Sequence, residues 1–133
     1  MSYFGKTYNH VRHENFDTFL KEVGLPEDKV KEILETKPSV KIVKNGDSYT
    51  STVITKAGAK DTTFKSGVEF DDTIGADKTP IKSTYIVDGN TVTQKIRGES
   101  GDGSFVREYN GDELVVTISS PKFKGVAKQF FKA

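Results

Sequence analysis

Hydrophobic and polar residues alternate along most of this chain, and residues 15 to 36 depart from that pattern. In this stretch Phe16, Leu20 and neighbouring apolar residues recur at intervals of three and four, the spacing of one helix face. Gly24 can end a first helix, and Pro26 stands where a second helix can begin. The pattern predicts two short helices after a first strand, followed by strands to the end of the chain.

Short turn sequences separate the alternating runs that follow the helices. Asn45-Gly46-Asp47, Asp88-Gly89-Asn90 and Asn110-Gly111-Asp112 supply residues that tolerate the positive φ of tight hairpin turns. With softer glycine-rich breaks elsewhere and a first strand at Gly5 to Val11, the count comes to ten strands. The sequence therefore predicts an all-β antiparallel barrel, with the two helices between strands 1 and 2 as a lid.

Composition limits the classes of protein to which this chain can belong. A length of 133 residues, with 34% hydrophobic and 29% charged residues, predicts a single domain over 1–133 with an ordinary polar surface. The formal net charge of +1 gives no basic excess for nucleic acid, and no apolar run is long enough to cross a bilayer. Without cysteine there is no disulfide framework. We therefore expect a cytoplasmic monomer.

The inner positions of the predicted barrel include polar side chains such as Gln94, so its interior should be hollow. Arg107 shares one side of its strand with Phe105, and Lys128 shares one side of the last strand with Phe130. A cation inside a barrel loses its hydration unless water or an anion accompanies it, so two inward cations predict a wet cavity for an anion. If both cations instead point outward, as most arginines and lysines do, that site does not exist.

Other groupings of reactive side chains give weaker indications. His10 and His13 are three residues apart and are expected on opposite sides of a strand, which disfavours a shared metal. Glu69, Asp71 and Asp72 lack the spacing of a calcium loop and are expected at a solvated edge. No serine has a histidine where a general base is needed. We expect no metal, no cofactor and no enzymatic activity.

Several segments, in order along the chain, resemble the intracellular lipid-binding proteins, the cytosolic fatty-acid-binding and retinoid-binding family. These segments are Lys6–Tyr8, Glu14–Leu20, Phe64–Asp71 and Val106–Glu108. The run Tyr109–Leu114 is most similar to the insect midgut fatty-acid-binding members. The resemblance implies a flattened, ten-stranded up-and-down β-barrel of the lipocalin-like (calycin) type, a two-helix lid and a buried ligand. It also implies a non-catalytic carrier of one or more long-chain fatty acids.

The resemblance also implies a headgroup site. Carboxylate-binding members use an arginine on the eighth strand and an Arg-x-Tyr pair on the tenth. Arg107 falls on the first position, while Lys128-Gln129-Phe130 occupies the second, so Arg107, Lys128 and Phe130 are the expected headgroup residues. Lysine lacks the planar fork of arginine, and phenylalanine lacks the tyrosine hydroxyl. A carrier of a retinoid, a sterol or another neutral lipid, or a structural protein at membrane surfaces, therefore remains an alternative.

We expect the acyl chain to lie against side chains of the lid and barrel. The candidates are Phe16, Leu20, Val23, Ile33, Val53, Phe64, Gln94, Phe105, Val116 and Ile118. Lysines of the lid could make transient contact with an anionic membrane, or could belong to an ordinary solvated face balanced by neighbouring acids. They are Lys21, Lys29 and Lys31.

Overall fold

Ten strands and two helices make up most of the part of the chain that this computed structural model describes, namely residues 3–22, 24, 26–55, 58–74, 79–98, 102–121 and 123–133. The helices are α1 (Phe16–Glu22) and α2 (Glu27–Glu35). The strands are β1 (Thr7–Glu14), β2 (Ser39–Asn45), β3 (Ser48–Thr55), β4 (Gly58–Phe64), β5 (Glu69–Ile74), β6 (Thr79–Asp88), β7 (Thr91–Arg97), β8 (Gly103–Asn110), β9 (Glu113–Ser120) and β10 (Phe123–Lys132).

All ten strands belong to one antiparallel sheet, in the order β4-β3-β2-β1-β10-β9-β8-β7-β6-β5. The two edge strands, β4 and β5, share no ladder among the described residues, and contacts made by β4 side chains bridge the gap instead. The Phe64 ring of β4 stacks on the Tyr85 ring of β6 with centroids 4.2 Å apart, and Lys60 Nζ of β4 donates to the Thr73 carbonyl of β5 at 3.0 Å. The predicted ten-stranded antiparallel barrel with a helical lid between strands 1 and 2 is confirmed.

Local chemistry sets the ends of the two helices. Asn15 has a φ of 56° immediately before α1, and its side-chain amide donates to the Val126 carbonyl of β10 at 3.4 Å. Gly24 has a φ of 94° and donates its N–H to the Lys21 carbonyl at 3.1 Å, which ends the helix. α2 begins after Pro26. Both helices lie within the predicted stretch.

Aromatic side chains fill the end of the barrel that lies beside the β6–β7 and β8–β9 turns. The rings of Tyr3 and Tyr109 stack with centroids 4.0 Å apart. The Tyr3 hydroxyl donates to the Gly89 carbonyl at 2.9 Å, and the Tyr8 hydroxyl donates to the Gly111 carbonyl at 2.8 Å. Because both carbonyls belong to hairpin turns, these bonds tie the start of the chain to two hairpins and close this end.

The first strand contains a β-bulge at Val11. His10 pairs with Phe131 of β10, but Arg12 pairs with Phe130, so two steps along β1 match one step along β10. The strand then continues to Glu14, three residues beyond the predicted end. A bulge shifts the alternation of side chains by one residue, so every inner-face position after Val11 is displaced.

Candidate functional site

Arg107 faces the interior of the barrel. It lies on β8, directly opposite Val92 of β7 and Val116 of β9, and both valines are buried. Directly opposed residues of an antiparallel pair point to the same face, so the guanidinium extends inward. The alternative that Arg107 points outward is wrong.

A chain of hydrogen bonds continues from Arg107 across three neighbouring strands. Arg107 Nη2 donates to Gln94 Oε1 at 2.9 Å, and Gln94 Nε2 donates to Ser83 Oγ at 3.3 Å. The Ser83 hydroxyl in turn donates to Asp72 Oδ2 at 3.0 Å. Arg107 Nη1 is buried and has no hydrogen-bond partner among the described residues. The guanidinium is thus held on one side and has a free donor on the other.

Asp72 is an interior residue that the sequence analysis missed. Its side chain is only 10% exposed, and Lys60 Nζ lies 3.5 Å from Oδ1. The expected solvated edge is therefore wrong for Asp72, although Asp71 faces outward and pairs with Lys82. The signal was present in the strand alternation, because Asp72 comes two residues after Phe70, which faces inward opposite Ser83.

Two aromatic rings lie near the Arg107 guanidinium. Its central carbon lies 5.7 Å from the Tyr85 ring centroid and 5.6 Å from the Phe105 ring centroid. Burial raises the pKa of Tyr109 to about 12, against the opposing effect of the nearby Arg107 charge. The Tyr109 phenol therefore stays neutral at physiological pH. Neutral rings beside this half-buried cation leave its positive charge available to an anionic ligand.

Lys128 and Phe130 lie on the outer face of β10. Lys128 pairs with Thr117 of β9. The exposed Arg12 guanidinium covers the Phe130 ring, and its central carbon lies 3.9 Å from the ring centroid of Phe130. Ala127, by contrast, is 0% exposed and pairs with buried Ile118. The expectation that Lys128 and Phe130 face the cavity is therefore wrong.

Gln129 and Phe131 occupy the inner positions at this end of the barrel. Gln129 pairs with Val116, and Phe131 pairs with Leu114, both of which are buried. Val116 also pairs with Arg107, so Gln129 and Arg107 lie in one row across the sheet, with a single strand between them. The amide of Gln129 is thus an inward polar group on β10.

Most of the expected lining residues face the interior or pack beneath the lid. Those that are buried are Phe16, Leu20, Phe64, Gln94, Val116 and Ile118. Phe105 is half-buried and packs against this core. Val53 is 36% exposed and shares the inner face of β3 with Tyr49, whose ring stacks on Phe64. Val23 and the Ile33 side chain lie outside the described residues.

The bulge at Val11 brings both histidines to the inner face. His10 pairs with Phe131 and His13 pairs with Gln129, and the two imidazole centroids are 5.7 Å apart. The expectation that they lie on opposite sides of the strand is therefore wrong. His10 Nδ1 is buried without a hydrogen-bond partner among the described residues.

A separate groove of about 710 Å³ opens on the outside of the barrel. Its lining includes Ile86, Lys95 and the ion pair between Arg97 and Glu69. Arg97 and Glu69 neutralise each other through two hydrogen bonds, so this groove has no unpaired guanidinium comparable to that of Arg107. It lies outside the interior site.

The described residues contain no group of three or more histidine or acidic side chains able to hold a metal ion. Among the same residues, no helix has the length and apolar character needed to span a membrane. On the lid, Lys21 and Lys31 are exposed, and the side chain of Lys29 lies outside the described part of the chain.

Known proteins are similar to this chain in both sequence and architecture. Residues 5–130 match the lipocalin / cytosolic fatty-acid binding protein family. Fatty acid-binding proteins 2 and 1 of Manduca sexta are each 51% identical over 133 residues, which is 100% of this chain and of each relative. The solved structure of the fatty-acid-binding protein isolated from Manduca sexta is 52% identical, has a TM-score of 0.94, and is matched over 99% of this chain and 100% of that chain.

A second solved structure, a fatty acid-binding protein in brain tissue of Drosophila melanogaster, is 32% identical with a TM-score of 0.87. That match covers 99% of this chain and 100% of the other. The family resemblance seen in the sequence is therefore confirmed. This chain belongs to the lipocalin / cytosolic fatty-acid binding protein family.

Proposed function

We propose that this protein is a non-catalytic carrier that binds a long-chain fatty acid inside its barrel. The observation that supports this most directly is the inward Arg107 guanidinium, whose Nη1 is buried and unpaired among the described residues. Relatives about half identical in sequence are named as fatty acid-binding proteins. A carboxylate accepts hydrogen bonds from a guanidinium with matching planar geometry, which makes it the natural ligand of such a group.

The chain of Gln94, Ser83 and Asp72 supports this role for Arg107. Gln94 accepts from Nη2 and fixes one edge of the guanidinium, so the opposite edge is presented to the ligand. Asp72 supplies an interior negative charge, and Lys60 beside it supplies a further positive charge. Arg107, Asp72 and Lys60 together carry one net positive charge. A single carboxylate would neutralise it, whereas a neutral lipid would not.

The apolar part of the ligand would lie against the buried side chains of the lid and inner sheet. Phe16 and Leu20 supply the lid surface, and Val116 and Ile118 supply the sheet surface beside Arg107. Burying a methylene group contributes about 0.8 kcal/mol, so a long chain supplies most of the affinity and the guanidinium fixes its direction.

Replacing Arg107 with Gln tests this function. Because a hydrogen bond to a charged group contributes about 1.5 to 3 kcal/mol, we expect fatty-acid affinity to fall by about ten-fold or more. Affinity for a fatty alcohol of the same length should change little. Isothermal titration calorimetry of both ligands measures the difference.

The matched control is Arg97→Gln, which removes the same charge from the outer face of the neighbouring strand. It should leave the affinity of both ligands unchanged. If Arg107→Gln changes fatty-acid affinity by less than about 0.5 kcal/mol, the size of a neutral surface change, the headgroup assignment is wrong. Equal losses for the acid and the alcohol would instead favour a neutral lipid as ligand.

We further propose that the carrier acts in the cytoplasm as a monomer and touches membranes transiently through its lid. Exposed Lys21 and Lys31 could meet anionic headgroups, although exposed Glu22 and Asp28 reduce that attraction. Flotation of the purified protein with anionic vesicles measures this contact.

A further inference from the structure

The barrel has a second group of polar side chains on its inner face, on the strands β1 and β10. His10, His13 and Gln129 all face inward, because the bulge at Val11 shifts the alternation of β1 between the two histidines. The ring centroids of His10 and His13 lie 5.7 Å apart, and Gln129 is directly opposite His13. Without the bulge, His13 would face solvent and the group would not exist.

Each of the two histidines packs against an aromatic ring. The His10 ring stands edge-on to Phe131 at 5.5 Å between centroids, with an interplanar angle of 90°. The His13 ring meets Phe16 of the lid helix α1 at 5.8 Å. His10 Nδ1 is buried and has no hydrogen-bond partner in the described part of the chain. A buried polar atom without a partner lowers stability, so a ligand group that bonds to it gains affinity.

Burial favours the neutral form of the His10 ring. The pKa of His10 is lowered from 6.5, first by burial and then by the charges of His13 and Lys37. A neutral imidazole has one donor nitrogen and one acceptor nitrogen, and the Gln129 amide likewise has both kinds of group. The complementary ligand group is therefore a hydroxyl, which donates one hydrogen bond and accepts another. A saturated hydrocarbon segment would leave His10 Nδ1 unpaired.

The register of the sheet places this group at a defined separation from Arg107. His13, Gln129, Val116 and Arg107 follow one another in a single row across four strands. With strands about 4.8 Å apart, Gln129 is about 10 Å from Arg107 along the sheet, and His13 is one strand further. A fatty acid whose carboxylate meets Arg107 would bring the middle of its chain to the histidines.

We propose that His10, His13 and Gln129 form a second binding site inside the barrel, which takes a hydroxyl group on the hydrocarbon chain of a fatty acid. The inference rests on the proposed function, because it requires a fatty acid held inside the barrel. It extends the ligand class to mid-chain hydroxy fatty acids. A metal is disfavoured, because the described residues add no third metal-binding side chain to the two imidazoles, which are too few ligands for zinc.

The test compares octadecanoic acid with a positional series of hydroxyoctadecanoic acids by isothermal titration calorimetry. The measured quantity is the affinity ratio of the hydroxy acid to the plain acid, in the wild type and in variants. For a mid-chain hydroxyl, His10→Leu and His13→Leu should lower this ratio by about two-fold to about ten-fold, the range for one hydrogen bond between neutral groups. Asn9→Leu, which alters the outer face of the same strand, should not change it.

Equal ratios in the wild type and in both histidine variants would overturn the hydroxyl site. Arg107→Gln should weaken the plain and hydroxy acids alike and preserve the ratio. If Arg107→Gln leaves the affinity for the plain acid unchanged while the histidine variants lose the preference, the headgroup assignment fails and the hydroxyl site stands.

A measurement on the wild-type protein covers the case in which a histidine variant does not fold. The ¹⁵N chemical shift of His10 Nδ1 reports its hydrogen bonding directly. We expect it to move when the mid-chain hydroxy acid is added and to stay in place with the plain acid. The same shift with both acids would overturn the proposal.

Discussion

Protonation of the His10 ring makes the stability of the folded barrel depend on pH. Its lowered pKa means that the folded protein takes up a proton on this ring at lower pH than the unfolded chain does. Burial of the ring, which packs against Phe131 of β10, lowers the pKa of His10 most, and the charges of His13 and Lys37 lower it further. When a base has a lower pKa in the folded state, stability is complete above the unfolded value and declines as the pH falls.

The free energy of unfolding should therefore decrease as the pH falls below 6.5, the ordinary pKa of the His10 ring. His10→Leu should reduce this decrease, because leucine takes up no proton. Urea denaturation of the wild type and the variant between about pH 7.5 and about pH 5 measures the two slopes. Identical slopes would show that His10 does not contribute.

On strand β10, the direction in which each side chain points decides which residues belong to the site. Every second residue of a strand points to the same face, so a displacement of one residue exchanges the inner and outer sets. Ala127 and Phe131 are buried, whereas Val126 is 43% exposed. This contrast places Gln129 inside the barrel and Lys128 outside it.

Replacing Lys128 with Ala should leave fatty-acid affinity within about 0.5 kcal/mol of the wild type, as for other surface changes. Replacing Gln129 with Arg should instead strengthen the binding of a fatty acid relative to a fatty alcohol, because it adds a cation on the inner face in the row of Arg107. Calorimetric titration of both variants distinguishes the two faces. A ten-fold loss in Lys128→Ala would contradict the outward placement.

At the scale of the whole molecule, the barrel is closed by side chains where β4 and β5 lie next to each other without a ladder among the described residues. Lys60 spans this seam, since its Nζ reaches the carbonyl and, at 3.2 Å, the hydroxyl of Thr73. The same ammonium lies beside Asp72, the last member of the hydrogen-bond chain from Arg107. The seam and the ligand site are therefore connected through polar contacts.

Lys60→Met keeps the apolar stem of the side chain and removes its hydrogen bonds across the seam. We expect amide hydrogen exchange to become faster in β4 and β5 while β8 and β9 stay protected, because those strands keep both ladder partners. The loss of overall stability should be about 1 kcal/mol, because the Lys60 side chain is 53% exposed and solvent already screens its charge.

Lys82→Met is the control for the seam, because Lys82 pairs with Asp71 across strands that already share a ladder. Its effect on exchange in β4 should be small. Equal acceleration of exchange by the two variants would show that Lys60 has no special role at the seam.

The sequence by itself determined the elements and their order. The turn at Asn45-Gly46-Asp47 and its counterparts require residues that tolerate positive φ, which is a property of the local chain, and each turn joins two observed strands. The helices followed from apolar spacing and from Gly24, and the inward Arg107 was one of two alternatives that strand alternation left open. Local rules suffice where a residue depends mainly on its sequence neighbours.

Tertiary structure decided which side chains meet inside the barrel. The bulge at Val11 exists only in the pairing of β1 with β10, and it brought His10 and His13 to one face. In the same way, the pairing register of β10 with β9 decides which side chains of β10 point outward, and Lys128 is one of them. Alternation repeats every two residues, so the sequence gives two sets of side chains for each strand, and only burial against the rest of the barrel decides which set is inside.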